Sequence, residues 1–539
     1  MRTMKNAIKT LPIILLLTII SCNDLKEEVF SDLTTDTYVY TANEIYAVNG
    51  PVYSNLRGYY NQGHLVLDVS TDMTCMPANA SGWDDGGIYK KIHLHTWNSE
   101  APQVKSIWTL FFQGVLHANR IIDQLTTNAI PVPADANKES LIAEMKVARA
   151  FYYWQIIDNY GDAPFVTTIS QDMPTSTSRK TIFTSIVADI VESMGKLSSE
   201  NDKVMYGRFN KWAAKTLLAN LYLNAKVYTG TAEWDKCLTE CNDIIASGKY
   251  SLEANYADCF KASNQNSVET IFAFPMDEIN GSSVYINSTL HASSKAKYNL
   301  RTTPYGAGCV KAIPQFIDTY DPDDSRIDDT WERGLQFAAN GTTPLMCLYD
   351  RAGQQLNYTK EVVNGLYTPE NEGYRIIKYK PELGATSPMN NDVPFFRYAQ
   401  VLMMKAECLL RKAPSDPAAA AVIVTQVRQR AFKSQPAKTT VTGAQLTANT
   451  KYKYGYVDSY VIADPGDQTP VEFGGFYDEL GYEFACEWGR RRDMIRFGTY
   501  STKSWLSHKP QGSKINVFPI PQSYLDANPK YQQNPDYLK

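Results

Sequence analysis

The sequence predicts a mostly helical fold: a right-handed superhelix of helical hairpins that carries irregular, loop-rich insertions and few short strands. Two observations predict it. Apolar residues recur at three- and four-residue spacing in consecutive pairs of segments, which is typical of amphipathic helices that pack on each other. Between these pairs lie stretches rich in Asn, Gly, Pro, Ser and Thr, which indicate loops and small strands.

The predicted helices come in pairs. They cover residues 108–125 with 139–158, 211–225 with 232–247, and 395–411 with 418–432, and one more helix is expected over 477–497. Alanines such as Ala214 and Ala225 stand at helix contact positions and let neighbours approach closely, as hairpins of the tetratricopeptide (TPR) type require. A TPR-like frame is therefore expected over about 101–250 and 393–500.

Loop-rich insertions are expected to interrupt this frame. They cover about 60–100, 250–390 and 434–470. In repeat scaffolds such insertions commonly collect on one face and carry the binding. Residues 515–539 should form an extended strap, because Pro519 and Pro521 cannot donate ladder hydrogen bonds. We expect residues 22–539 to form one domain.

The N-terminal residues predict export. Arg2, Lys5 and Lys9 precede a short apolar run over 11–20, which suits a signal peptide. Ser21 before Cys22 resembles the bacterial lipoprotein processing site, so residues 1–21 would be removed and Cys22 would carry the membrane-anchoring lipid. An ordinary secreted protein is the alternative.

Composition and motifs exclude several functions. A net charge of −4 provides no basic surface for nucleic acid. GxSxG, HExxH, GxxxxGK and helix-opening GxGxxG motifs are absent from the sequence, so neither catalysis nor a cofactor is expected. The eight cysteines after Cys22 are scattered, which favours buried small apolar residues over a disulfide framework.

Two patterns invite metal assignments that we do not favour. His93 and His95 alternate, but a strand surface or packed loop is the preferred interpretation. A calcium-loop spacing is matched by Asp321, Asp323, Ser325, Asp329 and Glu332. Its sixth position is Arg326, where the loop needs glycine. A solvated acidic turn or a salt-bridged loop is preferred, with calcium as the alternative.

The best ligand-binding candidate is the segment 61–97. It places Trp83 and Tyr89 among small and polar residues that include Asn79 and Asp85. Sugar rings present apolar C–H faces and hydroxyl rims, which suit aromatic rings beside amide and carboxylate groups. A structural role for Trp83 stays open, and Trp97 is expected in the core. Tyr305 is a second expected contributor.

Several segments together resemble the SusD/RagB family of outer-membrane lipoproteins. They are ARAFYYWQIIDNYGDAPFV (148–166), GRFNKWAAKTLLANLYLNA with EWDKCLTECNDIIASGKYSL, FFRYAQVLMMKAECLLR, EFACEWGRRRDMIRFG and VFPIPQSYLDANPKYQQNPDY. One departure is Trp488, where many relatives have glycine. Residues Glu487, Arg490, Asp493 and Arg496 are spaced by three, so one charged helical face that pairs with neighbouring segments is expected.

This resemblance implies a surface receptor. It would bind an extracellular oligosaccharide, be held to the outer membrane by the lipid at Cys22, and deliver the ligand to a SusC-like TonB-dependent transporter. Acidic residues directly after Cys22 resemble a surface-export tag. The alternatives are a RagB-like peptide receptor of the same fold, a non-catalytic interaction scaffold and a surface hydrolase. The sequence does not identify the glycan or its linkage.

Overall fold

The computed structural model describes residues 40–41, 44–170, 172–277, 279, 288–304, 309–385 and 389–537. The predicted signal peptide, the lipidation site Cys22 and the predicted ligand residue Tyr305 lie outside these residues. None of the helices in the described part of the chain combines the length and apolarity that spanning a membrane requires.

Helices dominate the fold, as predicted. The longer ones are Gly50–Gly63, Pro102–Thr126, Lys138–Tyr160, Arg179–Ser193, Lys211–Leu223, Trp234–Ala246, Tyr398–Arg411, Pro417–Arg428 and Gly474–Glu483. Shorter ones are Ile88–Leu94, Ala225–Thr229, Ser294–Tyr298, Pro314–Ile317, Arg326–Thr330, Gly443–Thr447, Arg490–Arg496 and Gln522–Ala527. Single turns of 3-10 or π type occur at Glu44–Asn49, His64–Asp68, Asp85–Gly87, Tyr256–Cys259, Pro436–Lys438, Ser513–Asn516 and Pro535–Tyr537.

Consecutive helices pack as hairpins. Helix Pro102–Thr126 packs on Lys138–Tyr160, Lys211–Leu223 on Trp234–Ala246, and Tyr398–Arg411 on Pro417–Arg428, so the three predicted pairs are confirmed. The first pair approaches so closely that a Cβ at Gly114 would lie 2.2 Å from the Tyr152 ring. Only glycine fits at that crossing.

Two further helices were not predicted. Gly50–Gly63 packs on Pro102–Thr126, and Arg179–Ser193 packs on Lys138–Tyr160. The first lies wholly before the expected frame. A third unpredicted helix, Ile88–Leu94, lies inside the segment expected to be irregular.

Short strands tie the insertions to one another and, through Val393–Arg397, to this frame. Thr270–Phe274 pairs antiparallel with Val393–Arg397, and Gly455–Asp458 pairs with Val461–Asp464 and with Trp505–Leu506. The two-residue strands pair Thr74–Cys75 with Lys311–Ala312, Ala78–Asn79 with Tyr367–Thr368, Ala163–Pro164 with Ser176–Thr177, Trp331–Glu332 with Arg375–Ile376, and Gly334–Leu335 with Asn357–Tyr358. Most of these pairings join residues far apart in sequence, so they fix where the loops lie.

The helix predicted over 477–497 is wrong as a single element. It is two helices, Gly474–Glu483 and Arg490–Arg496. Between them Cys486 and Trp488 have φ values of 59° and 61°. Such left-handed conformations cannot continue a right-handed helix, and they are costly for residues with a Cβ.

Trp488 stays in this strained conformation because its ring lies in an aromatic core. The ring centroid is 5.8 Å from Tyr59, 5.8 Å from Phe395 and 6.2 Å from Phe274. Glycine adopts positive φ without cost, which explains why the resemblance places glycine here. In this chain, aromatic packing offsets the backbone strain.

A buried charge network joins the helical frame to the Thr270–Phe274 and Val393–Arg397 strand pair. Arg397, at the start of its helix, contacts Glu269 at 2.8 Å, Glu483 at 2.7 Å and Glu487 at 2.8 Å. Arg326 contacts Glu483 from the other side at 3.2 Å. Glu483 is fully buried, and burial alone would raise its pKa. The guanidinium groups of Arg430, Arg397 and Arg326 instead lower that pKa to about 2.

The network is balanced in charge. Its cations are Arg326, Lys378, Arg397, Arg428 and Arg430, and its carboxylates are Asp324, Glu269, Glu479, Glu483 and Glu487. An unpaired buried charge costs several kcal/mol. The segments that supply these groups must therefore assemble together.

Glu487, Arg490, Asp493 and Arg496 form ion pairs, as predicted, but they do not share one helical face, because Glu487 lies outside the Arg490–Arg496 helix. Glu487 lies in the break before the helix and faces Arg397 at 2.8 Å. Arg490 contacts Asp72 at 2.8 Å, and Arg496 contacts Glu407 at 2.6 Å and Asp493 at 2.7 Å. These contacts attach the break and the Arg490–Arg496 helix to the segments that carry Asp72, Arg397 and Glu407.

The acidic turn and the cysteines take the preferred structural roles. Asp321 and Asp323 contact Lys438 at 2.7 and 2.6 Å, and the buried Arg326 contacts Asp324 at 2.7 Å, which makes this a salt-bridged turn. The cysteines in the described residues are buried and free.

Replacing Glu483 by glutamine tests the network. The substitution keeps the shape but leaves three buried guanidinium groups with too little negative charge, so we expect the free energy of unfolding to fall by about 3–5 kcal/mol. Denaturant unfolding at neutral pH measures this change. The matched control is Asp323→Asn, which loses an exposed ion pair and should cost less than about 1 kcal/mol. Equal losses of unfolding free energy in the two variants would contradict the role of Glu483 as the centre of the buried network.

Candidate functional site

Backbone hydrogen bonds and two glycines determine the conformation of the segment that carries Trp83. The Asn79 N–H donates to the Trp83 carbonyl at 3.1 Å, and the Gly82 N–H donates to the Asn79 carbonyl at 3.0 Å. Gly86 and Gly87 then take φ values of 63° and 74°, a region that glycine enters without strain. The chain reverses there and enters the Ile88–Leu94 helix, which carries Tyr89.

Trp83 and Tyr89 stack on each other at the surface. Their ring centroids are 5.7 Å apart with an interplanar angle of 20°. Both side chains are half-buried and pack against the core on one side. Burial also raises the pKa of the Tyr89 phenol. The two predicted aromatic residues thus form one stacked pair that rests on the core, and each side chain is partly exposed.

The two polar residues predicted beside them differ in role. Asn79 is 2% exposed; its Oδ1 accepts from the Ser81 N–H at 3.0 Å and the Ser81 hydroxyl at 2.7 Å. Its oxygen therefore closes the turn, and its role as a ligand contact stays a prediction. Asp85 is exposed, with a φ of 46°, and its carboxylate remains accessible beside the platform.

A second segment lies beside the platform and was not predicted. Strand Tyr367–Thr368 runs parallel to Ala78–Asn79, and the Ala78 N–H donates to the Leu366 carbonyl at 3.0 Å. Leu366 and Tyr367 are 44% and 46% exposed. This pairing brings an exposed tyrosine next to the turn that ends at Trp83.

A third loop, residues 346–351, is held by one buried carboxylate. Glu370 accepts from the backbone N–H groups of Leu348 at 2.7 Å, Tyr349 at 2.9 Å and Arg351 at 2.9 Å. It also accepts from His291 Nε2 at 3.0 Å. Although burial disfavours its charge, these donors lower the pKa of Glu370 below its usual range. The carboxylate is therefore charged at neutral pH and fixes the loop.

His291 is a neutral partner in this arrangement. Burial lowers the pKa of His291 to about 4, against the opposing effect of Glu370. Since a carboxylate can only accept, we assign the proton to Nε2, and Nδ1 accepts from the Ser293 N–H at 3.1 Å. The loop thereby presents Leu348, 50% exposed, and the half-buried Tyr349.

We call Trp83, Tyr89, Tyr349, Leu366 and Tyr367 the loop surface. Strand Tyr367–Thr368 pairs with Ala78–Asn79, and Glu370, two residues after that strand, holds the Tyr349 loop, so these segments are neighbours. The surface is apolar and aromatic, with hydroxyls and the Asp85 carboxylate near it. Such a surface can stack against flat apolar ligand faces and bond to hydroxyl rims.

The other predicted residues lie elsewhere. Trp97 is 6% exposed and belongs to the core, as expected. His93 and His95 are buried at the end of the Ile88–Leu94 helix, so the strand-surface interpretation is wrong and the packed one holds. Within the described ranges, no cluster of three or more His, Cys, Asp or Glu side chains is placed to hold a metal ion.

Replacing Glu370 by glutamine tests how the loop surface is held. Glutamine presents one acceptor oxygen instead of two, so the amides of Leu348, Tyr349 and Arg351 should exchange with solvent at least about ten-fold faster. Amide hydrogen exchange measures this. Glu361→Gln, on an exposed side chain 3.9 Å from Lys360, is the control. Unchanged exchange in the Glu370 variant would show that other contacts hold the loop.

Two family models match the chain. A family described as starch-binding and associating with the outer membrane matches residues 43–223, and the SusD family matches residues 268–537. Among curated proteins, the starch-binding protein SusD of Bacteroides thetaiotaomicron is 24% identical over 89% of this chain and 86% of its own length. A SusD-like protein, P25, of Formosa agariphila is 25% identical over 96% of both chains.

Solved structures share the fold. A laminarin-binding SusD-like protein superposes with a TM-score of 0.68 at 19% identity, covering 92% of this chain and 100% of its own. Surface glycan-binding protein A from Bacteroides thetaiotaomicron, in complex with laminarihexaose, gives the same values. NanU of B. fragilis gives a TM-score of 0.71 at 17% identity, covering 94% of this chain and 99% of its own.

Proposed function

The chain belongs to the SusD family, and from that premise we propose that it is a cell-surface glycan-binding protein that delivers oligosaccharides to a SusC-like TonB-dependent transporter. It acts without catalysis and without a cofactor. In this proposal the lipid on Cys22 anchors it to the outer membrane, so that capture occurs beside the transporter.

The stacked pair of Trp83 and Tyr89 is the observation that carries the proposal. The rings lie 5.7 Å apart and nearly parallel, and they rest on the core on one side. A sugar ring placed on them would cover apolar carbon surface at little entropic cost, because the rings are already ordered. The hydroxyls of Tyr89, Tyr349 and Tyr367 would then bond to the hydroxyl rim.

The relatives support a glycan as ligand. A curated relative is named for starch binding, and similar folds are named for binding laminarin or were solved with laminarihexaose. The loop surface uses the same means for any neutral sugar chain: stacking and hydroxyl hydrogen bonds. A peptide of the RagB kind would need backbone-directed donors and acceptors, and the exposed groups of the loop surface are mostly apolar carbon and phenol.

Binding measurements with substituted loops test this function. We expect Trp83→Ala to weaken binding of a matching oligosaccharide by about 5–30-fold, which corresponds to about 1–2 kcal/mol of stacking. Tyr89→Ala should weaken it similarly, since it also removes the support of Trp83. Trp83→Phe keeps an aromatic face and should retain most of the affinity. Isothermal titration against starch, laminarin and other glycan fragments measures these effects.

A peptide panel measured beside the glycans separates the alternatives. Tight binding of a peptide with no response to any glycan would replace the proposed ligand with a peptide. Glycan binding that is unaffected by Trp83→Ala, in a variant that unfolds at the same temperature as the wild type, would place the site elsewhere. Release of products from a polysaccharide would indicate a hydrolase.

A further inference from the structure

Three histidines, His93, His95 and His508, are buried next to the loop surface. Their side chains are 0%, 3% and 0% exposed, and the ring centroids of His95 and His508 lie 4.1 Å apart. His93 and His95 stand at the end of the Ile88–Leu94 helix. Histidine is the side chain whose ordinary pKa lies nearest to neutral pH, so a buried group of three makes the surrounding structure sensitive to acid.

His93 joins two segments of the loop surface. It lies on the Ile88–Leu94 helix, which also carries Tyr89. A Cβ at Gly365 would lie 2.6 Å from Cδ2 and 2.7 Å from Nε2 of the His93 ring, so the ring packs directly on the glycine backbone and no larger residue fits there. The two residues after Gly365 belong to the loop surface.

The segment 364–367 is held from two sides. On one side it pairs with Ala78–Asn79. On the other side the Gly365 N–H donates to the Ser507 hydroxyl at 2.8 Å, and Gly365 packs on the His93 ring. The imidazole therefore helps to fix the segment against the helix that carries Tyr89.

The surroundings of His93 favour its neutral form. Neither ring nitrogen has a hydrogen-bond partner among the described residues, and burial lowers the pKa of His93 to about 3. Burial also lowers the pKa of His95 and of His508 well below the ordinary value, and the Arg491 guanidinium lowers that of His95 further. A positive charge on any of these rings is unfavourable in the closed structure.

The neighbouring groups bring no counter-charge to His93. The titratable residues on its helix and on the turns and strand packed against that helix include Asp68, Cys75, Asp85, Lys90 and Lys91. Asp68 accepts from the Trp488 N–H at 3.2 Å, and Asp85 is exposed. The segments 364–367 and 505–508 add the Tyr367 phenol and His508. Because burial alone sets the pKa of His93, none of these groups compensates a charge there.

We propose that the neutral ring of His93 is a positioning residue of the loop surface, which holds residues 364–367 against the Ile88–Leu94 helix and releases them in acid. When the segment opens, His93 reaches water and takes up a proton. Because its pKa in the closed form is lowered from 6.5 to about 3, the closed form is most stable above about pH 6.5. Below that pH it loses about ten-fold against the open form for each pH unit. The effect on ligand retention rests on the proposed function.

Amide hydrogen exchange of the ligand-free, full-length protein between pH 7 and pH 4.5 tests this role. Relative to the unfolded rate at each pH, protection of the Gly365 amide should fall about 50–100-fold further in the wild type than in His93→Phe. Phenylalanine keeps a planar ring and does not titrate, and it breaks no hydrogen bond of the His93 ring among the described residues. His93→Leu is a second, smaller variant in case the larger ring disturbs the packing.

The matched control is His117→Phe. His117 is half-buried on the Pro102–Thr126 helix and lines a separate cleft beside Tyr53. This variant should keep the pH dependence of the wild type.

Two results of the exchange measurement would overturn the inference. One is an equal pH dependence of Gly365 protection in the wild type and in both His93 variants. The other is Gly365 protection as high as that of amides in the buried Lys211–Leu223 helix at every pH, because the histidine would then act only through global unfolding.

Glycan titrations at pH 7 and pH 4.5 test the link to the ligand separately. Acid should weaken binding more in the wild type than in His93→Phe, and equal weakening would overturn the effect on ligand retention. A protein that binds no glycan at either pH would overturn the proposed function, while the exchange result for Gly365 would stand.

Discussion

Glu483 and the arginines around it are the constraint on which the rest of the architecture depends. The carboxylate has no access to solvent and is shared by Arg326, Arg397 and Arg430. Arg326 begins the short Arg326–Thr330 helix, Arg397 ends the Val393–Arg397 strand, and Arg430 lies just after the Pro417–Arg428 helix. Because none of these buried charges can be left unpaired at acceptable cost, the helical frame and the insertions must assemble in one arrangement. The helix break at Cys486 and Trp488 turns Glu487 toward Arg397 and so brings one more carboxylate into the network.

Buried polar groups that make hydrogen bonds also hold the loop surface in place. Glu370 holds three backbone amides of one loop, and Asn79 closes the turn of another. The aromatic side chains of the loop surface therefore lie on loops whose backbones are held by buried hydrogen bonds. Because these loops are already ordered, ligand binding would cost little conformational entropy, and a small, shallow surface could then bind with useful affinity.

The helices were predictable because their apolar spacing is local and their ends are marked. Asn137 and Asn210, for example, cap the helices that follow them with side-chain oxygens. The break at Trp488 was not predictable from spacing, since a tryptophan with positive φ is explained only by the distant rings of Tyr59 and Phe395. Trp83 and Tyr89 could be singled out as aromatic residues in a glycine-containing loop. Tyr367 could not, because its place in the site depends on the pairing of residues 78–79 with 367–368. The turn-closing role of Asn79 could not be predicted, because an amide that closes a turn and an amide that binds a sugar have the same appearance in a sequence.

In the proposed function, a rigid helical receptor recognises sugar chains on an aromatic surface built from three loops. The central claim concerns where the sugar lies, and a crystal structure with a bound oligosaccharide chosen from the glycan panel tests it most directly. The account predicts a sugar ring stacked on Trp83 or Tyr89, at about 4 Å from the ring atoms, with Tyr349 or Tyr367 within reach of the next residue of the chain. An oligosaccharide bound elsewhere, with the faces of Trp83 and Tyr89 uncovered, would contradict it.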